Sequence, residues 1–327
     1  MLNKFLIINF ILFINITFIN ALNLCTYSSH SKYKSLINNY PNLSDKFNIL
    51  SKIPLPIWYT DRDSNSLNTI KDNLNNCNKL LSVVIIYGLP NKDCESGQSA
   101  SGTNKNSNDY INFIQNLHDL VQDTEIIYII EPDSLNFLLP GKCGLQPEKN
   151  YKQNLKTAID ILSKNKNAHI YLDIGYWNII YSDDLIIDIL NIVYELDSNN
   201  IIKGFSLNLS NYRKKDEMIT GCKRINSLSK KEYHCIIDTS RNYNGPSSDN
   251  QWCNLISAGI GQLPTQNTNI NIIDYYLWLK PQIELDGNCI GFSNSYQINK
   301  NAGDLDINYF NLLWKQGIFN NELSKCI

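Results

Sequence analysis

"IIYIIEPDSLNF", residues 126–137, decides the fold. Its first five residues form an unbroken apolar, mostly β-branched run, which suits a strand covered on both faces better than one with a wet side. The run stops at Ile130, and two carboxylates, Glu131 and Asp133, then bracket Pro132. A core strand needs neither acid. Charge placed there points to a site at the end of the strand.

The same pattern recurs along the chain. Short apolar runs stand at "PLPIWY" (54–59), "VVIIYGLP" (83–90), "HIYLDIG" (169–175), "IIKGFSLNLS" (201–210), "HCIIDTS" (234–240) and "YYLWLKP" (275–281). Helical patterns lie between them. In "YKQNLKTAIDIL" (151–162), Tyr151, Leu155, Ala158, Ile159 and Leu162 fall on one face. "SDDLIIDILNIVYEL" (182–196) opens with Ser182 and two acids, a good helix start. Seven strand–helix alternations predict an α/β protein with a parallel sheet, open or closed as a barrel. Nearly every strand ends in polar groups. Asp61 and Asp63 follow the first, Asp93 the second and Asp133 the third; Asp173 ends the fourth. Asn208 and Asn211 follow the fifth, Asp238 and Arg241 the sixth, Lys280, Glu284 and Asp286 the seventh. Parallel α/β folds bind ligands at the carboxyl ends of their strands, so these groups are expected to converge on the rim of a site.

At 327 residues the chain can bury a large core, and one barrel-type domain serves as well as two. No repeat, linker or low-complexity stretch divides residues 22–327. A formal net charge of −2 argues against a nucleic-acid or anionic-membrane surface, since both need concentrated positive charge. Residues 1–21 carry Lys4, a long apolar stretch and then Ala21, which reads as a signal peptide cleaved near Ala21; an uncleaved anchor over Leu6 to Ile19 is the alternative. After cleavage the protein is expected to be secreted, monomeric and free of the membrane. Nine cysteines in an exported chain predict disulfides, and their odd number leaves at least one outside an internal bridge. The chain has no CxxC pair and its four histidines form no cluster, so no metal and no cofactor is expected. Of two glycosylation sequons, that at Asn42 lies in a polar loop, whereas that at Asn208 falls inside a predicted strand, where a glycan would not fit.

Clustered carboxylates with aromatic neighbours suit proton transfer on a carbohydrate. Glycoside cleavage needs one protonated acid for the leaving oxygen and negative charge that favours an attacking water. Packing acids together supplies the protonated member. The plainer alternative is that Asp133, just before "SLNFLL", only caps a helix.

Seven strings in order carry a resemblance: "YGLPNKDC" (87–94), "IIEPDSLNFL" (129–138), "YLDIG" (171–175), "GFSLNLSNY" (204–212), "DTSRN" (238–242), "QWCN" (251–254) and "WLKPQIELDG" (278–287). Together, over about residues 54–310, they resemble glycoside hydrolase family 6, the cellulases that include cellobiohydrolases and endoglucanases. The resemblance implies a distorted seven-stranded parallel β/α barrel, TIM-like, as a single catalytic domain over 22–327. It implies an inverting hydrolase of β-1,4-glucan (cellulose), without cofactor. By the same resemblance Asp133 is the general acid, Asp93 the neighbour that tunes it, and Asp286 the base or a base-linked carboxylate. Tyr87 presses on the distorted sugar and Ser99 holds the attacking water. Trp58 and Trp252 stack on sugars, while Asn211, Lys280 and Glu284 bond to them; packing on a helix face is the alternative for Trp252. Bridges Cys94–Cys143 and Cys253–Cys289 are implied too, with Cys326 a competitor for Cys289.

Departures from the family pattern are Gly88 and Lys92, where aspartate and arginine are common, and Tyr176 in place of histidine, with Trp177 out of the usual spacing. The lysine is expected to support Asp93 less firmly than a planar guanidinium. The changed leaving-group side favours the alternative function, a glucan-binding wall or coat protein with little turnover. A barrel enzyme of another class would make the seven strings coincidence. The short segment after Asp286 leans toward an open cleft.

Overall fold

A computed structural model describes residues 23–77, 79–146 and 149–323. The expected signal peptide and Cys326 lie outside the described residues. Seven strands, β1 (Ile57–Thr60), β2 (Ser82–Tyr87), β3 (Ile126–Ile130), β4 (Ala168–Asp173), β5 (Ile202–Leu207), β6 (His234–Asp238) and β7 (Ile273–Leu277), form one sheet in sequence order. Every neighbouring pair is parallel. Helices α1 (Tyr27–Asn39), α2 (Ser66–Asn76), α3 (Ser107–Val121), α4 (Tyr151–Leu162), α5 (Asp183–Leu196), α6 (Lys215–Leu228) and α7 (Ile307–Gln316) supply the cover. The Ser182 hydroxyl caps α5 by accepting from the Asp184 N–H at 3.1 Å.

The apolar run at 126–130 is buried on both faces for a period-two reason. Ile127 and Ile129 join Val83, Ile85, Tyr171 and Ile236 inside the curl of the sheet. Ile126, Tyr128 and Ile130 face the helix layer. A third cluster, with Tyr33, Phe47, Trp278 and Phe310, packs the first and last helices together.

The curl does not close by strand pairing. Among the seven strands β1 pairs only with β2 and β7 only with β6, leaving a seam between them, while Tyr276 of β7 bridges to Thr265 in the preceding loop. The Trp58 indole N–H crosses this seam to the Leu279 carbonyl at 3.0 Å. Four disulfides tie the loops: Cys25–Cys77, Cys94–Cys143, Cys222–Cys235 and Cys253–Cys289. Asn208 is buried just past β5 and Asn42 is exposed.

Candidate functional site

Glu131 and Asp133, the two acids of the opening stretch, have opposite fates. Both adopt left-handed backbone, with φ of 46° and 68°, which breaks strand alternation and turns their side chains apart. Glu131 points into the protein. Its carboxylate accepts from the Gly88 N–H at 2.9 Å, the Leu89 N–H at 3.2 Å and the Tyr110 hydroxyl at 2.9 Å. Burial pushes it up to about 7 despite those donors. Glu131 therefore clips the loop after β2 to β3 and takes no place on the rim. Asp133 faces a cavity of about 460 Å³ at the carboxyl ends of the strands. It precedes the short helix Ser134–Phe137 but makes no side-chain cap, so the capping alternative falls.

Among the described residues the Asp133 carboxyl receives no hydrogen bond and has no cation beside it. Its backbone N–H donates to Asp173 Oδ2 at 3.0 Å, and the Ser206 hydroxyl donates to Asp173 Oδ1 at 3.1 Å. Burial, then the negative charges of Asp173, Asp93 and Glu95, push Asp133 well above the usual carboxylate range. Burial also lifts Asp173, to about 7. At neutral pH this pair keeps a proton, and Asp133, without donors on its oxygens, is the member that holds it. Asp173 was legible as a strand-end acid; its partnership with Asp133 was not.

Asp93 also lies in left-handed backbone, at φ 52°, and its carboxylate is held at both ends. The Ser96 hydroxyl reaches Oδ1 at 2.6 Å and the Ser99 N–H reaches Oδ2 at 2.6 Å. The expected support from Lys92 is a correction. Lys92 turns away to a buried ion pair with Asp61 at 2.5 Å and to the Ser101 carbonyl at 2.9 Å. Asp61 thus anchors the loop over β1 and leaves the rim, as does Asp238, which accepts from the Ser210 and Ser240 N–H groups at 2.8 Å. Gly88 has a packing reason: a Cβ there would meet the Phe113 ring at 2.5 Å.

Asp286 stands opposite in character. Arg241, wholly buried, grips it with two bonds of 2.8 and 3.0 Å. The Tyr212 hydroxyl adds a third at 2.8 Å and the Asn254 N–H a fourth at 2.9 Å. Burial raises its carboxyl, but Arg241 and Lys280 outweigh burial and hold it below the usual range. A carboxylate so saturated is a poor proton acceptor and a good fixed charge. Arg241 is the residue sequence reasoning left without a role; its place in "DTSRN" after β6 was the available signal.

The same cavity is lined by Tyr87 and Ser99 beside Asp93, and by Trp58, Lys280 and Glu284 near the seam. Tyr87 meets Trp58 edge-on at 6.0 Å. Burial, with Asp133, Asp93 and Glu131 nearby, keeps its hydroxyl protonated. Asn211 and Trp252 complete the expected lining. Trp252 sits in a loop and meets Phe292 edge-on at 5.8 Å, so helix-face packing does not describe it. Tyr176 and Trp177 reach the cavity as well, and the Trp177 indole N–H is buried without a partner. Glu95 and Lys142, which the sequence did not single out, pair at 2.8 Å on the rim beside Cys94–Cys143. Among the described residues no group of three histidines, cysteines or carboxylates is placed to hold a metal ion.

A family model described as Glycosyl hydrolases family 6 matches residues 23–317. Endoglucanase-6B of Humicola insolens is 30% identical over 241 residues, which cover 63% of this chain and 68% of that protein. The 1,4-beta-D-glucan cellobiohydrolase CEL6B of Podospora anserina is 27% identical over 251 residues, 65% of this chain and 59% of its own length. Endoglucanase A of Thermobispora bispora is 28% identical, and the match spans 44% of it. Among solved structures, the endoglucanase Cel6 from Mycobacterium tuberculosis, in complex with a methyl-cellobiosyl-thio-cellobioside, superposes with a TM-score of 0.70. It is 26% identical, with 83% of this chain and 89% of that one covered. A GH6 enzyme of Orpinomyces sp. Y102 gives a TM-score of 0.74 at 25% identity, covering 89% and 95%.

Proposed function

Because the chain belongs to glycosyl hydrolases family 6, we propose that it hydrolyses β-1,4-glucosidic bonds of cellulose and cello-oligosaccharides with inversion of configuration. The observation that carries this is one cavity lined by an acid kept protonated, Asp133, and a carboxylate kept ionised, Asp286. Environments that push two carboxyl groups apart in this way assign acid and counter-charge.

Asp133 donates its proton to the leaving oxygen. A water attacks the anomeric carbon from the other face in a single displacement, passing through an oxocarbenium-like state that Asp286 stabilises by charge. Because four donors saturate Asp286, the water's proton leaves through the Asp93 side, where Ser99 holds the water. Trp58, Trp252, Tyr176 and Trp177 offer faces for sugar rings, with Asn211, Lys280 and Glu284 as polar contacts. The aromatic pair Tyr176–Trp177, at 5.1 Å, fits a furnished leaving-group side, and the proton kept on Asp133 favours turnover over a mere glucan-binding role. The four bridges fit an oxidising, extracellular location.

The test is reducing sugar released from amorphous cellulose, with viscosity loss followed alongside to separate internal from terminal cuts. D133N should lose most activity on cellulose, roughly 10²-fold or more, yet far less on a dinitrophenyl glycoside, whose leaving group needs no proton. Equal losses on both substrates would remove Asp133 as the acid.

A further inference from the structure

A second cavity, about 330 Å³, lies against the seam and shares Trp58, Thr60 and Glu284 with the first. Its remaining walls come from α1, through Ser31 and Lys32, from Pro56 and Ile57 at the start of β1, and from Pro281. The volume falls at the lower end of the roughly 300–1,000 Å³ typical of small-molecule sites. β1 has no strand partner on this side, and such an edge offers unpaired backbone groups to a polar visitor.

We propose that this cavity is a further subsite, which binds one pyranose unit of a β-1,4-glucan chain continuing past Trp58. It rests on the glucan-hydrolase reading above. Three observations favour a neutral, hydroxyl-rich ligand. The Ser31 and Thr60 hydroxyls and one Asp63 oxygen carry no hydrogen bond among the described residues. Of the charged groups that line this cavity, Asp63 and Glu284 are acids and Lys32 the one base, although Glu284 also pairs with Lys280 at 3.9 Å from the side of the first cavity; that lining disfavours an anion. Pro56 and Pro281 supply apolar surface suited to a ring face. Between the two cavities stands the Lys32–Glu284 ion pair, with side chains 31% and 15% exposed. A partly exposed pair contributes little, so a sugar hydroxyl can take the place of Lys32 on Glu284.

Calorimetry on the full chain carrying D133N tests this without turnover, using cellobiose through cellohexaose as probes. Ser31→Trp, made from an exposed position on α1 that does not line the first cavity, should fill the second. The readout is the ratio of affinities for oligosaccharides one unit apart, so general damage cancels. Two or three ordinary hydrogen bonds correspond to a gain on the order of tenfold at one step of the series. That gain should vanish in D133N/S31W while shorter steps keep their ratios. Thr69→Trp, from the opposite wall, provides the same blockage should S31W fail to fold. Identical step ratios with and without the tryptophan overturn the subsite alone. No binding of any oligosaccharide overturns the glucan reading and the subsite with it.

Discussion

Replacing Glu131 with glutamine should make the protein gain stability relative to wild type as pH rises. The folded carboxyl titrates near about 7 against an unfolded value of 4.5. A raised folded pKa means stability that is complete below the unfolded value and lost as pH climbs through the folded one. The gap of roughly 2.5 units, at about 1.4 kcal/mol each, gives about 3 kcal/mol lost by wild type between about pH 4.5 and about pH 8. Glutamine resembles the protonated acid. Its oxygen can accept from the Gly88 and Leu89 N–H groups while its NH₂ donates to the Tyr110 oxygen. E131Q therefore escapes that loss. Leucine offers no acceptor and strands the same three donors, at about 1–3 kcal/mol each. Urea unfolding across this pH range measures both. A wild-type-minus-E131Q difference that stays flat would refute the raised pKa and the clip built on it.

Other outcomes follow from the same site. Asp173→Asn should move the alkaline limb of kcat/KM to lower pH by more than Asp93→Asn does, because Asp173 is the stronger of the two charges holding the proton on Asp133; equal shifts would contradict the pairing. Arg241→Met leaves Asp286 buried without its cation, a loss of about 3–5 kcal/mol at neutral pH. In wild type the depressed Asp286 pKa contributes stability above its unfolded value, lost as acid protonates it. The R241M deficit should thus shrink as pH falls, and vanish only below the depressed wild-type value, where the carboxyl is neutral in either protein; a deficit independent of pH would point to packing alone.

The strands were legible because a buried parallel strand needs an unbroken apolar run, and β3 is such a run from Ile126 to Ile130. The convergence of polar groups was legible in outline, since strand ends collect at one side of a parallel sheet. The fate of each group was not. Glu131 and Asp133 stand two residues apart, and only the positive φ at each sends one inward and one to the cavity. Asp61 and Lys92 are thirty-one residues apart and find each other through a loop whose path no spacing encodes. The seam also lay beyond the pattern, because seven strands read alike whether or not the last meets the first. Likewise Cys222–Cys235 follows from how α6 docks on β6, and Cys25–Cys77 from how the segment before α1 meets the end of α2, which cysteine counting cannot order.

The anomer first released bears most directly on the proposed chemistry. Proton NMR of a cello-oligosaccharide digest, recorded before mutarotation, should show the α-anomer accumulating first, as a single displacement by water requires. An initial β-anomer would demand a covalent glycosyl-enzyme and contradict the assignment of Asp133 as acid to a directly attacking water.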